Sequence, residues 1–159
     1  MVALLALLPK EFPGKMAETN FRYYEPRCAH GSSLSAGMHA FVAARLGDSE
    51  MALSYLRKAA AADLDLDPNS AGGVRIAGLG GLWQAAILGF AGLDPMGDPR
   101  LPPEWRGLSF NVCWRNRSVG IRIAGDTVQA TLAEGEEMEM RIAAAKHKLT
   151  PGATLQVSV

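Results

Sequence analysis

Asp94-Pro95-Met96-Gly97-Asp98-Pro99-Arg100-Leu101-Pro102-Pro103-Glu104-Trp105-Arg106-Gly107-Leu108-Ser109-Phe110-Asn111-Val112-Cys113-Trp114 is the stretch on which the chain turns from one architecture to another. Its four prolines lack an N–H and fix φ, so no helix runs through them. Beyond Gly107 the apolar side chains fall on every second residue, Leu108, Phe110, Val112 and Trp114, which is the repeat of a half-buried strand. Before Gly92 they recur every three or four residues instead, the repeat of a helix.

Downstream, the alternation continues with Val119, Ile121 and Ile123, then Val128, Ala130 and Leu132, then Met138, Met140 and Ile142, and finally Leu155, Val157 and Val159 after Pro151-Gly152. Turn formers separate the runs: Asn116, Gly125-Asp126 and Gly135. Residues 108–159 are therefore expected to form a small antiparallel sheet or sandwich.

Upstream, Met1 to Pro9 reads as one or two turns of a buried helix. Lys15 to Tyr23 follows as a short helix, ended by Pro26, which biases Glu25 away from the α region. Ser33 to Leu46 carries Leu34, Met38, Phe41 and Val42 in a helical stripe. Gly47-Asp48 ends that helix and caps the next, which runs to about Ala62 through Ala52, Tyr55, Leu56, Ala59 and Ala60. Residues 33–62 are thus an antiparallel helical hairpin. A loop from Asp63 to Gly78 leads into a helix from Leu79 to Ala91, with Leu79, Leu82, Trp83, Ala86, Ile87 and Phe90 on one face. The fold class is α+β: residues 1–92 helical, 93–107 a stiff linker, 108–159 a β-domain.

Composition narrows the partners. Sixteen Lys and Arg balance sixteen Asp and Glu, so no net field draws the chain to nucleic acid or an anionic membrane. Arg115, Arg117, Arg122 and Trp114 are too few to mark a nucleic-acid surface. Two cysteines, Cys28 and Cys113, make no disulfide framework and suit a reducing cytoplasm. The apolar start has no cationic lead and is stopped by Pro9 far short of the ~20 residues of a membrane span. An apolar helix without a cap or polar face looks like the middle of a buried helix of something larger.

Two loop-to-helix segments stand out, Phe21 to Ser35 and Gly72 to Trp83. In each, polar or glycine-rich backbone meets the start of a helix, where unpaired N–H groups suit oxyanions. Their motifs are Tyr23-Tyr24-Glu25-Pro26-Arg27, His30-Gly31-Ser32-Ser33-Leu34-Ser35, Ala71-Gly72-Gly73-Val74-Arg75-Ile76 and Gly80-Gly81-Leu82-Trp83-Gln84-Ala85. With Ala43-Ala44-Arg45-Leu46-Gly47-Asp48 and Leu101-Pro102-Pro103-Glu104-Trp105, in this order and spacing, the chain resembles the C-terminal end of glycoside hydrolase family 65. These are inverting phosphorylases and hydrolases of maltose, trehalose, kojibiose and similar α-glucosides.

The resemblance implies the last helices of an (α/α)6 barrel followed by the family's C-terminal β-domain. It also implies that the general-acid glutamate and a sugar-binding Lys-Gln pair lie upstream of this chain, which would then be inactive alone. His30, Ser32 and Ser33 fall in one loop at the barrel mouth, and Arg75 and Gly78 in a second. There they would face inorganic phosphate or the attacking water and the disaccharide. Arg75 suits phosphate through its planar fork, yet it could equally pair with Asp67, so phosphorolysis and hydrolysis both stay open. No cofactor is implied beyond phosphate as co-substrate. The remaining helical faces call for self-association or an N-terminal barrel partner. The alternative is a non-catalytic carbohydrate-binding or partner-binding module complementing a separate chain.

Other conspicuous residues have plainer readings. Glu25 or Arg27 is expected to be paired within a structural loop, and His39 to be a packing residue. Asp63, Asp65 and Asp67 alternate as in a calcium loop but lack its glycine and final glutamate, so no metal site is expected. Glu134, Glu136, Glu137 and Glu139 solvate an outward strand face, and Trp83 and Trp105 anchor core and linker.

Overall fold

The computed structural model describes residues 1–64, 74–93, 98–142 and 145–159. The Asp65 and Asp67 alternation, Ala71 to Gly73 and Asp94-Pro95 lie outside the described residues. Among the latter, five helices precede six strands: α1 Val2–Leu7, α2 Lys15–Tyr24, α3 Ser33–Leu46, α4 Ser49–Leu64 and α5 Ile76–Gln84, then β1 Leu108–Trp114, β2 Arg117–Ala124, β3 Thr127–Glu134, β4 Met138–Ile142, β5 Ala145–Leu149 and β6 Thr154–Ser158. The protein is α+β, with helices and an antiparallel sheet.

Helix α3 is the centre of the helical part, packed by α1, α4 and α5. Its residues 37–44 are buried without a break, because neighbours press on it from several sides. Gly47 ends it in the left-handed conformation (φ +83°), and the N–H groups of Gly47 and Asp48 close back onto Ala44 and Ala43. Asp48 then caps α4, its Oδ1 accepting from the N–H of Met51 at 3.1 Å. The hairpin reading of residues 33–62 therefore has its turn where the Gly-Asp pair sits.

Helices α3 and α5 cross almost backbone to backbone. A Cβ on Gly37 would lie 2.6 Å from the carbonyl carbon of Gly81, and one on Gly89 would lie 3.2 Å from the Cα of Phe41. Beyond Gln84 the helix widens into a π turn over Ala85–Phe90, while Arg45 Nε donates to the carbonyl of Leu88 at 3.0 Å.

Four details depart from the sequence reading. Glu25 is helical (φ −53°, ψ −57°), because α2 passes directly into a 3-10 turn over Glu25–Arg27 that accommodates Pro26. The last helix begins three residues before Leu79. Leu79 and Trp83 of its apolar face are exposed, Trp83 by 54%, whereas Phe90 is fully buried against the ring of Trp105. Helix α1 buries only Val2, Leu5 and Ala6, leaving Met1, Leu4, Leu7 and Leu8 about half exposed. Trp105 does anchor the linker; Trp83 does not reach a core.

The main sheet has the order β1-β2-β3-β6, antiparallel throughout, and β4-β5 form a second, two-stranded sheet. Register puts Phe110 opposite Ile121, Ile121 opposite Ala130 and Ala130 opposite Leu155. This apolar face packs on Ile142 and Leu149 of the small sheet, giving a second core that Ala91 joins and that shares Leu101 with the helical one. The β1-β2 hairpin turns through Arg115 and Asn116, both at positive φ (48° and 61°), as a two-residue turn of matched twist needs. Arg100 ties the linker to the helical part: its N–H donates to Phe90 O at 2.7 Å and its Nη1 to Arg45 O at 2.9 Å.

Candidate functional site

The segment from Cys28 to Ser32 carries the chain from the 3-10 turn into α3. Ser32 is the N-cap, its Oγ accepting from the N–H of Leu34 at 3.3 Å, which leaves its own hydrogen free to donate. His30 sits at φ +49°, a conformation rarely taken by a residue with a side chain. It is held there from both sides of its ring. Nδ1 lies 2.9 Å from Ser35 Oγ, and Nε2 lies 3.3 Å from the hydroxyl of Tyr55.

Tyr55 comes from α4 and is buried. Its hydroxyl donates to Glu25 Oε1 at 2.5 Å. A phenol has one hydrogen, so with that hydrogen on Glu25 the Tyr55 oxygen can only accept from His30. His30 therefore carries its proton on Nε2, and its Nδ1 accepts from the Ser35 hydroxyl. Burial, and after it the bond to Glu25, raises the Tyr55 pKa far above that of an ordinary phenol, so it stays a donor at all working pH. The expected pairing of Glu25 is thus with a tyrosine, while Arg27 lies over the Tyr23 ring and donates to the Tyr23 carbonyl at 2.6 Å.

His39, one helical turn beyond Ser35, is 2% exposed and gives Nδ1–H to the Ser35 carbonyl at 2.7 Å. Its Nε2 is buried and finds no hydrogen-bond partner among the described residues. Desolvation depresses its pKa, partly countered by the Ser35 bond, and so keeps the ring neutral. Cys28 Sγ stands 3.5 Å from Ser35 Oγ, and with the Ser35 hydrogen on His30 the thiol is the donor of that contact. Cys28, His30 and His39 are close enough to suggest a metal centre. The Ser35 hydroxyl occupies the middle of the group, however, 3.5, 2.9 and 3.5 Å from Cys28 Sγ, His30 Nδ1 and His39 Nδ1, and makes it a hydrogen-bond hub.

Beside this hub opens a cleft of about 340 Å³, lined in part by His30, Ser32, Ser33, Tyr55, Lys58 and Arg75. Two cationic side chains, two hydroxyls and the start of a 14-residue helix face one space, which suits an oxyanion. Four of the five expected site residues, His30, Ser32, Ser33 and Arg75, come together there. Gly78 lies behind the wall, where an added Cβ would stand 3.4 Å from Ser33 Cβ and backbone oxygen. Asp67, the alternative partner of Arg75, lies outside the described residues.

Nothing in the local sequence around Tyr55 and Lys58 marks them as site residues. A signal existed in the hairpin: His39 and Tyr55 are each eight residues from Gly47, so antiparallel helices bring them level, and their rings are 5.0 Å apart. Lys58 follows one turn later, its Nζ 4.9 Å over the Tyr55 ring.

The model of the glycosyl hydrolase family 65 central catalytic domain matches residues 1–84, and that of the family's C-terminal domain matches residues 98–149. The chain belongs to glycosyl hydrolase family 65. It is 34% identical over 147 residues to a kojibiose phosphorylase of Halothermothrix orenii, covering 89% of this chain and 19% of the relative. It is 35% identical to an α,α-trehalose phosphorylase of Thermoanaerobacter brockii, covering 87% and 19%. With a maltose phosphorylase of Bacillus subtilis the identity is 36%, covering 77% and 17%. A solved structure assigned as a kojibiose phosphorylase from the human microbiome shares the fold, with a TM-score of 0.83 at 24% identity, over 99% of this chain and 24% of that one. This family 65 chain spans about a fifth of the length of the curated relatives it matches.

Proposed function

We propose that this family 65 segment forms the nucleophile side of an inverting phosphorylase or hydrolase of α-linked glucose disaccharides, with inorganic phosphate as the favoured nucleophile. The observation that carries the reading is the convergence of Ser32, Ser33, Lys58 and Arg75 on one cleft. Charge-assisted bonds from Arg and Lys, with hydroxyls at a helix start, are what a phosphate dianion needs. In inversion a carboxylic acid protonates the leaving oxygen while the nucleophile attacks from the opposite face. The acid in this reading is a glutamate upstream of the segment, and the segment alone performs no turnover.

In the same reading residues 1–92 are the last helices of an (α/α)6 barrel, 93–107 the linker and 108–159 the C-terminal β-domain, acting in the cytoplasm. The bare apolar faces of α1 (Leu4, Leu7, Leu8) and α5 (Ile76, Leu79, Trp83) support this, since apolar helix faces of this kind are normally covered. They equally suit a module that complements a separate barrel chain, the second reading. No described helix is long and apolar enough to cross a membrane.

The test incubates the pure chain with kojibiose, maltose or trehalose, with and without phosphate, and follows inorganic phosphate by ³¹P NMR. No sugar release, together with phosphate line broadening that is lost in Lys58→Ala/Arg75→Ala, is expected. Steady release of glucose or a glucose phosphate would sink the inactive-alone reading, and a phosphate line unaffected by the wild-type chain would sink the cleft reading.

A further inference from the structure

We infer that His30 serves the cleft as a positioning residue, oriented by Glu25 through Tyr55, and that Lys58 takes the anion-ligand role that the loop histidine would otherwise hold. The inference rests on the anion-cleft reading above and specifies which groups do the work in it.

A neutral imidazole has one donor and one acceptor, and both are engaged within the protein. Nε2–H goes to the Tyr55 oxygen and Nδ1 takes the Ser35 hydrogen, so the ring has no N–H left for a ligand. The order of the chain is set at its far end. Glu25 is a pure acceptor when ionised and claims the only Tyr55 hydrogen, which forces Tyr55 to accept and His30 to donate. Anchored on α3 through Ser35 and on α4 through Tyr55, His30 holds an uncommon backbone conformation two residues before the Ser32 cap. Its ring therefore holds the backbone that leads into the Ser32 cap, and with it the position of the helix start that lines the cleft.

Lys58 is placed differently. It is exposed, lines the same cleft, and among the described residues no carboxylate pairs with it. Its Nζ rests over the Tyr55 ring at 4.9 Å, a contact that steers the chain without using any of its three donors. An ammonium whose three donors are unspent among the described residues, on the wall of a cleft with two hydroxyls, fits one face of a phosphate.

Two measurements on the full chain separate the parts. Long-range ¹H–¹⁵N spectra of the imidazoles read the His30 tautomer directly and need no ligand. The Nε2–H form is expected in the wild type and its loss in Tyr55→Phe; a wild-type Nδ1–H form would overturn the positioning role. Phosphate titration by ³¹P NMR is the second. Lys58→Ala is expected to weaken binding about 10-fold or more, the loss of one charge-assisted contact. His30→Gln, which can still bridge Ser35 and Tyr55, is expected to stay within about 3-fold of wild type. Unchanged affinity in Lys58→Ala, or a larger loss in His30→Gln than in Lys58→Ala, would overturn the assignment. Absence of phosphate binding in the wild type strikes the cleft reading and the Lys58 role with it, and leaves the tautomer result standing on its own.

Discussion

Gly37→Ala is the sharpest perturbation the fold offers, because its cost is set by backbone and not by a movable side chain. The added Cβ would meet the Gly81 carbonyl carbon at 2.6 Å and its Cα and oxygen at 2.8 Å. Carbon atoms prefer about 3.5–4.0 Å, so α3 and α5 must part by about 1 Å or tilt. Overpacking costs about 1–3 kcal/mol, and a clash with backbone atoms that cannot swing aside falls in its upper half, about 2–3 kcal/mol; alanine's better helix propensity offsets about 1 kcal/mol. The net expectation is a loss of about 1–2 kcal/mol, or a Tm lower by about 2–8 °C for a chain of this size. Parting the helices also separates Ser33 at the start of α3 from Arg75 at the start of α5, so phosphate broadening should weaken with stability. Gly80→Ala supplies the control on the same helix: nothing lies within 4 Å of its added Cβ, and a gain of about 0.5–1 kcal/mol is expected. Urea unfolding followed by circular dichroism reads both. A Gly37→Ala chain as stable as wild type, or a Gly80→Ala chain destabilised as much as Gly37→Ala, would refute the crossing argument.

Two further outcomes follow from burial and exposure. The folded chain keeps His39 neutral while the unfolded chain protonates it near its ordinary pKa of about 6.5, so the unfolded state binds the extra proton. Stability contributed by the neutral ring is therefore complete above that value and falls as pH drops toward the depressed folded pKa, by at most about 1.4 kcal/mol per pH unit. Urea midpoints between about pH 7 and 5 should show this slope, and His39→Gln should flatten it; a wild-type profile flat over that window would count against it. The exposed α5 face predicts self-association of the isolated chain, relieved by Leu79→Lys/Trp83→Glu. Sedimentation equilibrium decides, and a wild-type mass that stays monomeric across the concentration range would contradict it.

The change of period at Leu108 divides helix from strand in both sequence and structure, and Gly47-Asp48 marks the hairpin turn, because each signal is local chemistry. Strand β5 escapes that kind of reading. Ala145-Lys146-His147-Lys148-Leu149 shows hardly any apolar alternation. Its place beside β4 is fixed by the backbone ladder and by Leu149, buried opposite Met138, with exposed charge pairs added across the hairpin, Lys146 to Glu139 at 3.3 Å and Lys148 to Glu137 at 2.8 Å. The acidic run read as a solvated face is thus also one side of a cross-strand ladder. Glu25 shows a bias overruled: the residue before proline avoids the α region on average, but a tight 3-10 turn with Tyr55 bonded to its carboxylate holds Glu25 there.

The candidate site divides along the same line. Ser32, Ser33 and Arg75 are legible because they sit at helix starts, where local backbone geometry gives them a use. His30 is legible as a residue but not in its role, because its role is decided by Tyr55 on another helix and by where one hydrogen goes. Leu79 and Trp83 carry the converse lesson. Helical periodicity correctly groups them on a face, but burial depends on what packs against that face, and within the described residues nothing covers it. A side chain's period is a property of its own helix, whereas its burial and its proton belong to its neighbours. Residues whose function runs through such neighbours, Tyr55 and Lys58 here, become visible only once the hairpin is closed and the eight-residue offsets from Gly47 are brought face to face.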